Sequence, residues 1–158
     1  MPDDLYHRDV LAWSAHQADL LRRAGRGERV NDVDWDLVAE EIEDVGLSEL
    51  NAVRSFLRLT IVHLMKIRGW PGSSAIAHWR SEIVGFQAEA GDRFAPSMRQ
   101  KIDIDAIYRV ALTQVQQDTY GRKKPRALPP SCPFTLDQLL TQTPRTLEAV
   151  LASASAEG

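Results

Sequence analysis

The feature that most constrains the fold is a long stretch of apolar residues at helical spacing between Asp34 and Arg68. The apolar positions are Val38, Ala39, Ile42, Val45, Leu50, Val53, Leu57, Ile61 and Leu64. They recur mostly at three- and four-residue steps, which places side chains on one face of an α-helix. From Phe56 to Ile67 the stretch is apolar nearly all round, as in a buried central helix. We expect a helix about 50 Å long if it continues through Gly46, where a bend is plausible.

The rest of the chain also has helical patterning. The predicted segments run from about residue 4 to 24, 76 to 90, 97 to 120 with a break at Asp103, 136 to 140, and 144 to 151. Asp34 is a natural N-cap, and Ser97-x-x-Gln100 and Thr135-x-x-Gln138 have the pattern of capping boxes. No segment has the alternation of a strand. The sequence predicts an all-α fold, an antiparallel up-down bundle of about four main helices with a C-terminal helical strap.

Length and composition indicate one cytoplasmic domain over residues 1–158, with a core from about 4 to 142 and a frayed tail from 153 to 158. The longest nearly uncharged apolar run, Leu59 to Met65, is much shorter than the roughly 20 residues of a membrane span. The N-terminal residues lack the basic and apolar regions of a signal peptide. The single cysteine, Cys132, rules out an internal disulfide, and we expect it to be a small buried anchor rather than a nucleophile.

Charge is distributed unevenly along the chain. Residues 1–50 carry 13 acidic and 5 basic side chains, whereas residues 51–158 carry 9 acidic and 14 basic ones. Generic nucleic-acid binders usually display a dominant basic face, so this pattern makes nucleic acid an unlikely partner. Solvated helix surfaces produce the same numbers and are the simpler interpretation.

The candidate interaction surface is an acidic arc made of Glu40, Glu41, Glu43 and Asp44. These residues lie opposite the apolar face of the long helix, so they could bind a basic partner or a divalent metal. A solvated face that complements the helix dipole explains the same residues more simply.

The histidines raise an enzyme alternative, a small helical bundle that binds a metal. His16, His63, His78 and Glu82 are its candidate ligands, since His78 and Glu82 share a helix face. The chain lacks the His-Glu-x-x-His motif, the Glu-x-x-His pairs of di-iron bundles and the two-cysteine knuckles of zinc sites. A core histidine bonded to a tyrosine or a carbonyl explains His63 equally well.

A second alternative is weak nucleic-acid contact through a basic loop that contains Arg122, Lys123, Lys124 and Arg126. Tyr120 lies beside this loop, and lysine and arginine side chains bind phosphates. No recognised nucleic-acid motif, such as a helix-turn-helix, accompanies it.

Several segments resemble a bacterial family of uncharacterised all-helical proteins, domain-of-unknown-function family twenty-nine. The matching segments are residues 4–6, 9–13 with Gln17 and 20–22, 34–46 with 48–49, 63–66, Trp79-Arg80 with Ile83, Pro96-Ser97, Tyr108 with Ala111, and 132–140. The acidic stretch after Trp35 and the Cys-Pro-Phe-Thr-Leu segment are the most specific. The resemblance departs at Val84-Gly85-Phe86, where the family has a glutamine-arginine pair. It implies an all-helical protein and no known activity or site.

The leading hypothesis from the sequence is a non-enzymatic helical interaction domain without a cofactor. Its partner would be another protein or a second copy of the chain, with no membrane involved. We expect a core that contains Trp13, Ile42, Phe56, Leu64, Trp79, Ile83 and Tyr108.

Overall fold

The computed structural model describes residues 2–156 of the chain, with side chains from Leu5 onward, and within these residues it contains helices and no strand. The α-helices are α1 (Pro2–Arg8), α2 (Val10–Gly25), α3 (Trp35–Gly69), α4 (Ile76–Arg93), α5 (Ile104–Gln117), α6 (Leu136–Thr141) and α7 (Pro144–Ala156). The prediction of an all-α fold is confirmed. None of these helices is both long and apolar enough to cross a membrane, as far as residues 2–156 are concerned.

Contacts divide the chain into two compact units, residues 1–47 and residues 48–158. These units subdivide the chain that the sequence predicted to be one domain. The first contains α1, α2 and the beginning of α3, and the second contains the remainder of α3 and all later helices.

Helix α3 begins where the sequence predicts. The side chain of Asp34 accepts a hydrogen bond from the Leu37 amide at 3.3 Å, and its carbonyl accepts one from Val38 at 2.9 Å. The helix continues through Gly46 without interruption. A glycine inside a helix costs about 1 kcal/mol relative to alanine. Burial of the following apolar residues offsets that cost, since the side chains of Val53, Leu57 and Ile61 are completely or almost completely inaccessible.

Four other element boundaries test the predicted helix starts and breaks. The first predicted helix is divided at Asp9, whose side chain accepts from the Ala12 amide at 2.9 Å and so starts α2. The Ser97 capping box was a wrong prediction, because Pro96–Lys101 form a 3₁₀ helix that Ala95 precedes. The break at Asp103 is confirmed, since its side chain caps α5. The Thr135 capping box is also confirmed, with both reciprocal hydrogen bonds present.

The hydrophobic core of the second unit is built around α3. Its least accessible residues are Val53, Leu57, Ile61, Leu64, Met65, Ile83, Tyr108, Leu139, Leu147 and Leu151. The predicted frayed tail is helical as far as Ala156, and residues 157–158 lie outside the described residues.

Five of the seven predicted core residues are buried, namely Trp13, Leu64, Trp79, Ile83 and Tyr108. Phe56 is half-buried, and the prediction for Ile42 was wrong, because 67% of this residue is exposed. The first unit has few elements to cover the beginning of α3, and they bury Val38 while leaving Ile42 in solvent.

Candidate functional site

The first unit carries a shallow apolar groove between α2 and α3, with a volume of about 260 Å³. Its lining includes Trp13 and Leu21 of α2 and Val38, Glu41, Ile42 and Val45 of α3, and we call it the apolar groove. Trp13 is buried, and its indole N–H has no hydrogen-bond partner among the described residues. A buried donor without an acceptor lowers stability.

The wall formed by α3 exposes several large apolar side chains close together in sequence. Ile42 and Val45 are 67% and 68% exposed in the groove, and Trp35 and Leu47 are exposed on the same helix but do not line the groove. Single exposed apolar residues are normal on protein surfaces, whereas a contiguous group marks an interaction site. Of the three large apolar side chains that the sequence predicts on one face between Val38 and Val45, only Val38 is therefore buried.

One residue of the acidic arc, Glu41, lines this groove, and the other three lie on the same segment of α3. Between residues 35 and 47 the chain has five carboxylates and no basic residue. Glu40, Glu43 and Asp44 are exposed, and among the described residues none of them forms an ion pair. Glu41 lines the groove and accepts a hydrogen bond from the Tyr6 hydroxyl at 2.6 Å. This hydrogen bond, with the negative charge of Glu41, raises the pKa of Tyr6. The prediction that all four residues lie opposite the apolar face was therefore wrong for Glu41, which is part of the apolar groove, whereas Glu40, Glu43 and Asp44 do not line it.

The predicted metal ligands are not gathered into a metal site. Over residues 2–156, no group of three or more His, Cys, Asp and Glu side chains has an arrangement that could hold a metal ion. His16 is exposed on α2 in the first unit, whereas the other three candidates belong to the second unit. His78 and Glu82 do lie on the same face of α4, as predicted, and Glu82 hydrogen-bonds the imidazole of His63.

The two carboxylate oxygens of Glu82 face two histidines, with a hydrogen bond to His63 and a longer ion-pair distance to His78. Its Oε2 lies 2.7 Å from Nε2 of His63, and its Oε1 lies 3.4 Å from Nε2 of His78. The Nδ1 atom of His63 lies 2.9 Å from the carbonyl oxygen of Leu59, which can only accept, so Nδ1 carries the hydrogen. Both ring nitrogens of this buried histidine therefore have partners, which agrees with the interpretation of His63 as a core histidine.

Cys132 and the basic loop are placed in the second unit. Cys132 is half-buried with Sγ 3.5 Å from the Phe134 carbonyl oxygen, and burial raises the pKa of its thiol. A raised pKa opposes the thiolate that a nucleophile requires. In the basic loop, Lys123, Lys124 and Arg126 line a cleft of about 720 Å³, whereas Arg122 does not line it.

Sequence reasoning missed two features of these sites. It placed Ile42 in the core, and it did not connect the basic loop with the Gly69-Trp-Pro-Gly72 turn, which forms the opposite wall of the cleft. In the sequence, this turn only separates the apolar stretch that ends at Arg68 from the helix predicted to begin at residue 76. Its two glycines beside an aromatic residue were the available signal for a close approach of another segment.

Comparison with known proteins agrees with the helical architecture. A search of curated proteins found no match to the chain. A crystal structure of an alpha-helical protein of unknown function from Rhodospirillum rubrum is similar, with 29% sequence identity and a TM-score of 0.64. That similarity covers 94% of this chain and 96% of the Rhodospirillum rubrum chain. The family model described as "Domain of unknown function DUF29" matches residues 5–143. The chain therefore belongs to the DUF29 family.

Proposed function

We propose that the chain is a helical protein-interaction domain whose apolar groove receives a basic amphipathic helix of another protein. The observation that carries the proposal is the exposure of Ile42 and Val45 on a helix segment that bears only negative charge. An amphipathic helix in a groove is a common mode of peptide recognition, with apolar anchors at three- and four-residue steps.

The apolar contribution to binding follows from the exposed area. Complete burial of an isoleucine or valine side chain is worth about 1.5–3 kcal/mol. Ile42 and Val45 are already about one third covered, so a partner would gain roughly two thirds of that value from each. Leu21 is half-buried in the same groove and adds to the surface that a partner would cover.

The charge of this segment supports a basic partner. Glu40, Glu43 and Asp44 lie exposed on the same part of α3, and this part of the helix, residues 35–47, contains no basic residue. Lysine and arginine residues that flank the apolar face of an incoming helix would meet these carboxylates. Such complementarity increases the association rate and selects the partner.

A symmetric dimer is a poorer occupant of the groove. A two-fold interface places the same surface of both copies face to face, so two acidic arcs would be brought together. Repulsion between like charges opposes that arrangement, particularly at low salt.

Site-specific photo-crosslinking in the native cell tests the proposal. A photoreactive amino acid replaces Val45 in one variant and Val110 in the control, because Val110 is also exposed, at 56%, but lies on α5. The crosslinked peptide is then sequenced by mass spectrometry. We expect the Val45 position to capture a peptide with helical apolar spacing and flanking lysines or arginines, and the Val110 position not to capture it.

A charge reversal provides the second readout. Asp44→Lys should lower the crosslinking yield at position 45, whereas Asp92→Lys, an equally large change at an exposed aspartate of α4, should not. Capture of a second copy of this chain would contradict the proposed partner. An equal pattern of captured peptides at positions 45 and 110 would contradict the proposed surface.

A further inference from the structure

The second unit contains a binding cleft that the proposed interaction function does not use. It lies between the turn at residues 69–74, which joins α3 to α4, and the loop at residues 120–126, which follows α5. Its volume of about 720 Å³ is within the range of small-molecule sites. We call it the basic cleft.

The two walls of the basic cleft are fastened to each other. The indole N–H of Trp70 donates to the Lys123 carbonyl at 2.9 Å, and the Arg126 amide donates to the Gly69 carbonyl at 2.9 Å. A Cβ on Gly69 would lie 2.8 Å from Cβ of Pro125, so only glycine permits this approach of the two segments. The cationic side chains therefore extend from a backbone that is held in place.

Positive charge in the basic cleft is uncompensated. Lys123, Lys124 and Arg126 line it, and no acidic residue is found among the described residues that line it. Within residues 2–156, none of these three cations has a carboxylate at ion-pair distance, in contrast to Arg80, which binds Glu148 at 2.8 Å. Three like charges repel one another, so an anion in the cleft would be stabilised by all three.

The opposite wall supplies neutral hydrogen-bond donors. The Ser73 hydroxyl oxygen accepts from the Ala75 amide at 3.1 Å, which leaves the hydroxyl hydrogen available to donate. Ser74 is exposed beside it. Several donors of both kinds around one space match a phosphate group, which carries multiple acceptor oxygens and up to two negative charges.

An aromatic side chain adjoins the cations. Tyr120 is 40% exposed at the basic cleft, and its ring packs edge-on against Trp79 with the centroids 5.5 Å apart. An anchored ring beside a phosphate-binding group provides a surface for the ring of a ligand. We propose that the basic cleft binds the phosphate groups of a small phosphorylated molecule, with a nucleoside or sugar ring placed next to Tyr120.

Isothermal titration calorimetry with three probes tests this proposal and separates the possible sources of the phosphate. The probes are pyrophosphate, a nucleoside diphosphate and ribose 5-phosphate. We expect saturable binding of at least one probe at a single site. Tighter binding of the nucleoside diphosphate than of pyrophosphate, lost in Tyr120→Ala, would support a ring next to Tyr120, and the opposite order would overturn that part of the proposal.

The chain offers a charge-matched control for the variants. Lys124→Gln and Arg126→Gln should each weaken binding about tenfold, the effect of losing one charge-assisted hydrogen bond. Arg122→Gln removes the same charge from the same loop, but Arg122 does not line the basic cleft, so its affinity should remain within about twofold of the wild type. Melting temperatures check that the variants fold, and the best probe should raise that of the wild type.

Three results would overturn the proposal. The first is the absence of saturable binding of every probe up to about 10 mM, where even weak small-molecule sites begin to fill. The second is an equal loss of affinity in Arg122→Gln and Lys124→Gln, which would indicate only general attraction to a basic loop. The third is binding of single-stranded oligonucleotides that strengthens with their length and exceeds that of all three probes, which would indicate an extended nucleic-acid surface.

Discussion

Replacing Val38 and Val45 separately with alanine compares two valines of the same helix that differ mainly in exposure. Val38 is 9% exposed and Val45 is 68% exposed. Both belong to the first unit and both line the apolar groove. Because alanine has the better helix propensity by a similar amount at both positions, that gain cancels when the two variants are compared. The difference in stability therefore reports burial.

The magnitude follows from the two carbon groups that each substitution removes. At about 0.8 kcal/mol for each buried carbon group, a fully buried valine loses roughly 1.6 kcal/mol. Val38→Ala should lose nearly all of this burial energy, and Val45→Ala about one third of it. Only Val38→Ala also leaves a cavity, which lowers its stability further. We expect Val38→Ala to be less stable than Val45→Ala by about 1–2 kcal/mol.

Urea unfolding measured by circular dichroism gives the free energies of unfolding of the two variants. Hydrogen–deuterium exchange of residues 35–47 provides a local measurement, because a small unit can open separately from the rest of a chain. Equal destabilisation by the two substitutions would refute the reasoning. It would mean that Val45 is packed in the isolated protein and that the apolar groove is not open.

Three further substitutions or reactions test the second unit. Gly69→Ala should lower the free energy of unfolding by about 1–3 kcal/mol because the added Cβ meets the rigid ring of Pro125. Gly72→Ala should change it little, because a Cβ there meets nothing within 4 Å. Equal effects of the two substitutions would contradict the close approach at Gly69. Tyr108→Phe should lower the free energy of unfolding by about 1–2 kcal/mol because the buried Tyr108 hydroxyl donates to the Pro129 carbonyl at 2.7 Å. Tyr120→Phe should lower it less, because the Tyr120 hydroxyl has no hydrogen-bond partner among the described residues. Burial also raises the pKa of Tyr108 above its ordinary value of 10.0. The stability that the protonated hydroxyl contributes is therefore fully present below pH 10 and decreases above it. Tyr108→Phe has no such hydroxyl, so its free energy of unfolding should lack this contribution to the decrease above pH 10. Alkylation of Cys132 at mildly alkaline pH should be slower in the native protein than in urea, because burial raises the pKa of the thiol; equal rates would contradict its burial.

The helices are predictable from sequence where local chemistry determines them. Asp34 and Thr135 each cap a helix through their own side chains, so a few neighbouring residues are sufficient to identify the start. The central position of α3 follows equally from its apolar second half. Ser97 shows the limit of this reasoning, since the same capping pattern occurs at a 3₁₀ helix.

The candidate sites depend on contacts that no local pattern contains. The helical spacing of Ile42 and Val45 defines an apolar face but does not reveal whether another helix covers it. The basic cleft requires Trp70 to meet Lys123, which is 53 residues away in sequence. The lysines are evident in the sequence as a charge cluster, but nothing in the sequence pairs them with the turn that completes the cleft.

Titration of the purified protein with a synthetic lysine–leucine amphipathic helix tests the central proposal most directly, since it requires only the apolar groove and the charge beside it. We predict saturable binding by the wild type that is about tenfold weaker when Val45 is changed to serine and unchanged when the exposed Val110 is changed to serine. A glutamate–leucine helix of the same length should not bind, because its charges would face the acidic arc. Equal affinities of the Val45→Ser and Val110→Ser variants for the basic helix would contradict the proposed interaction surface.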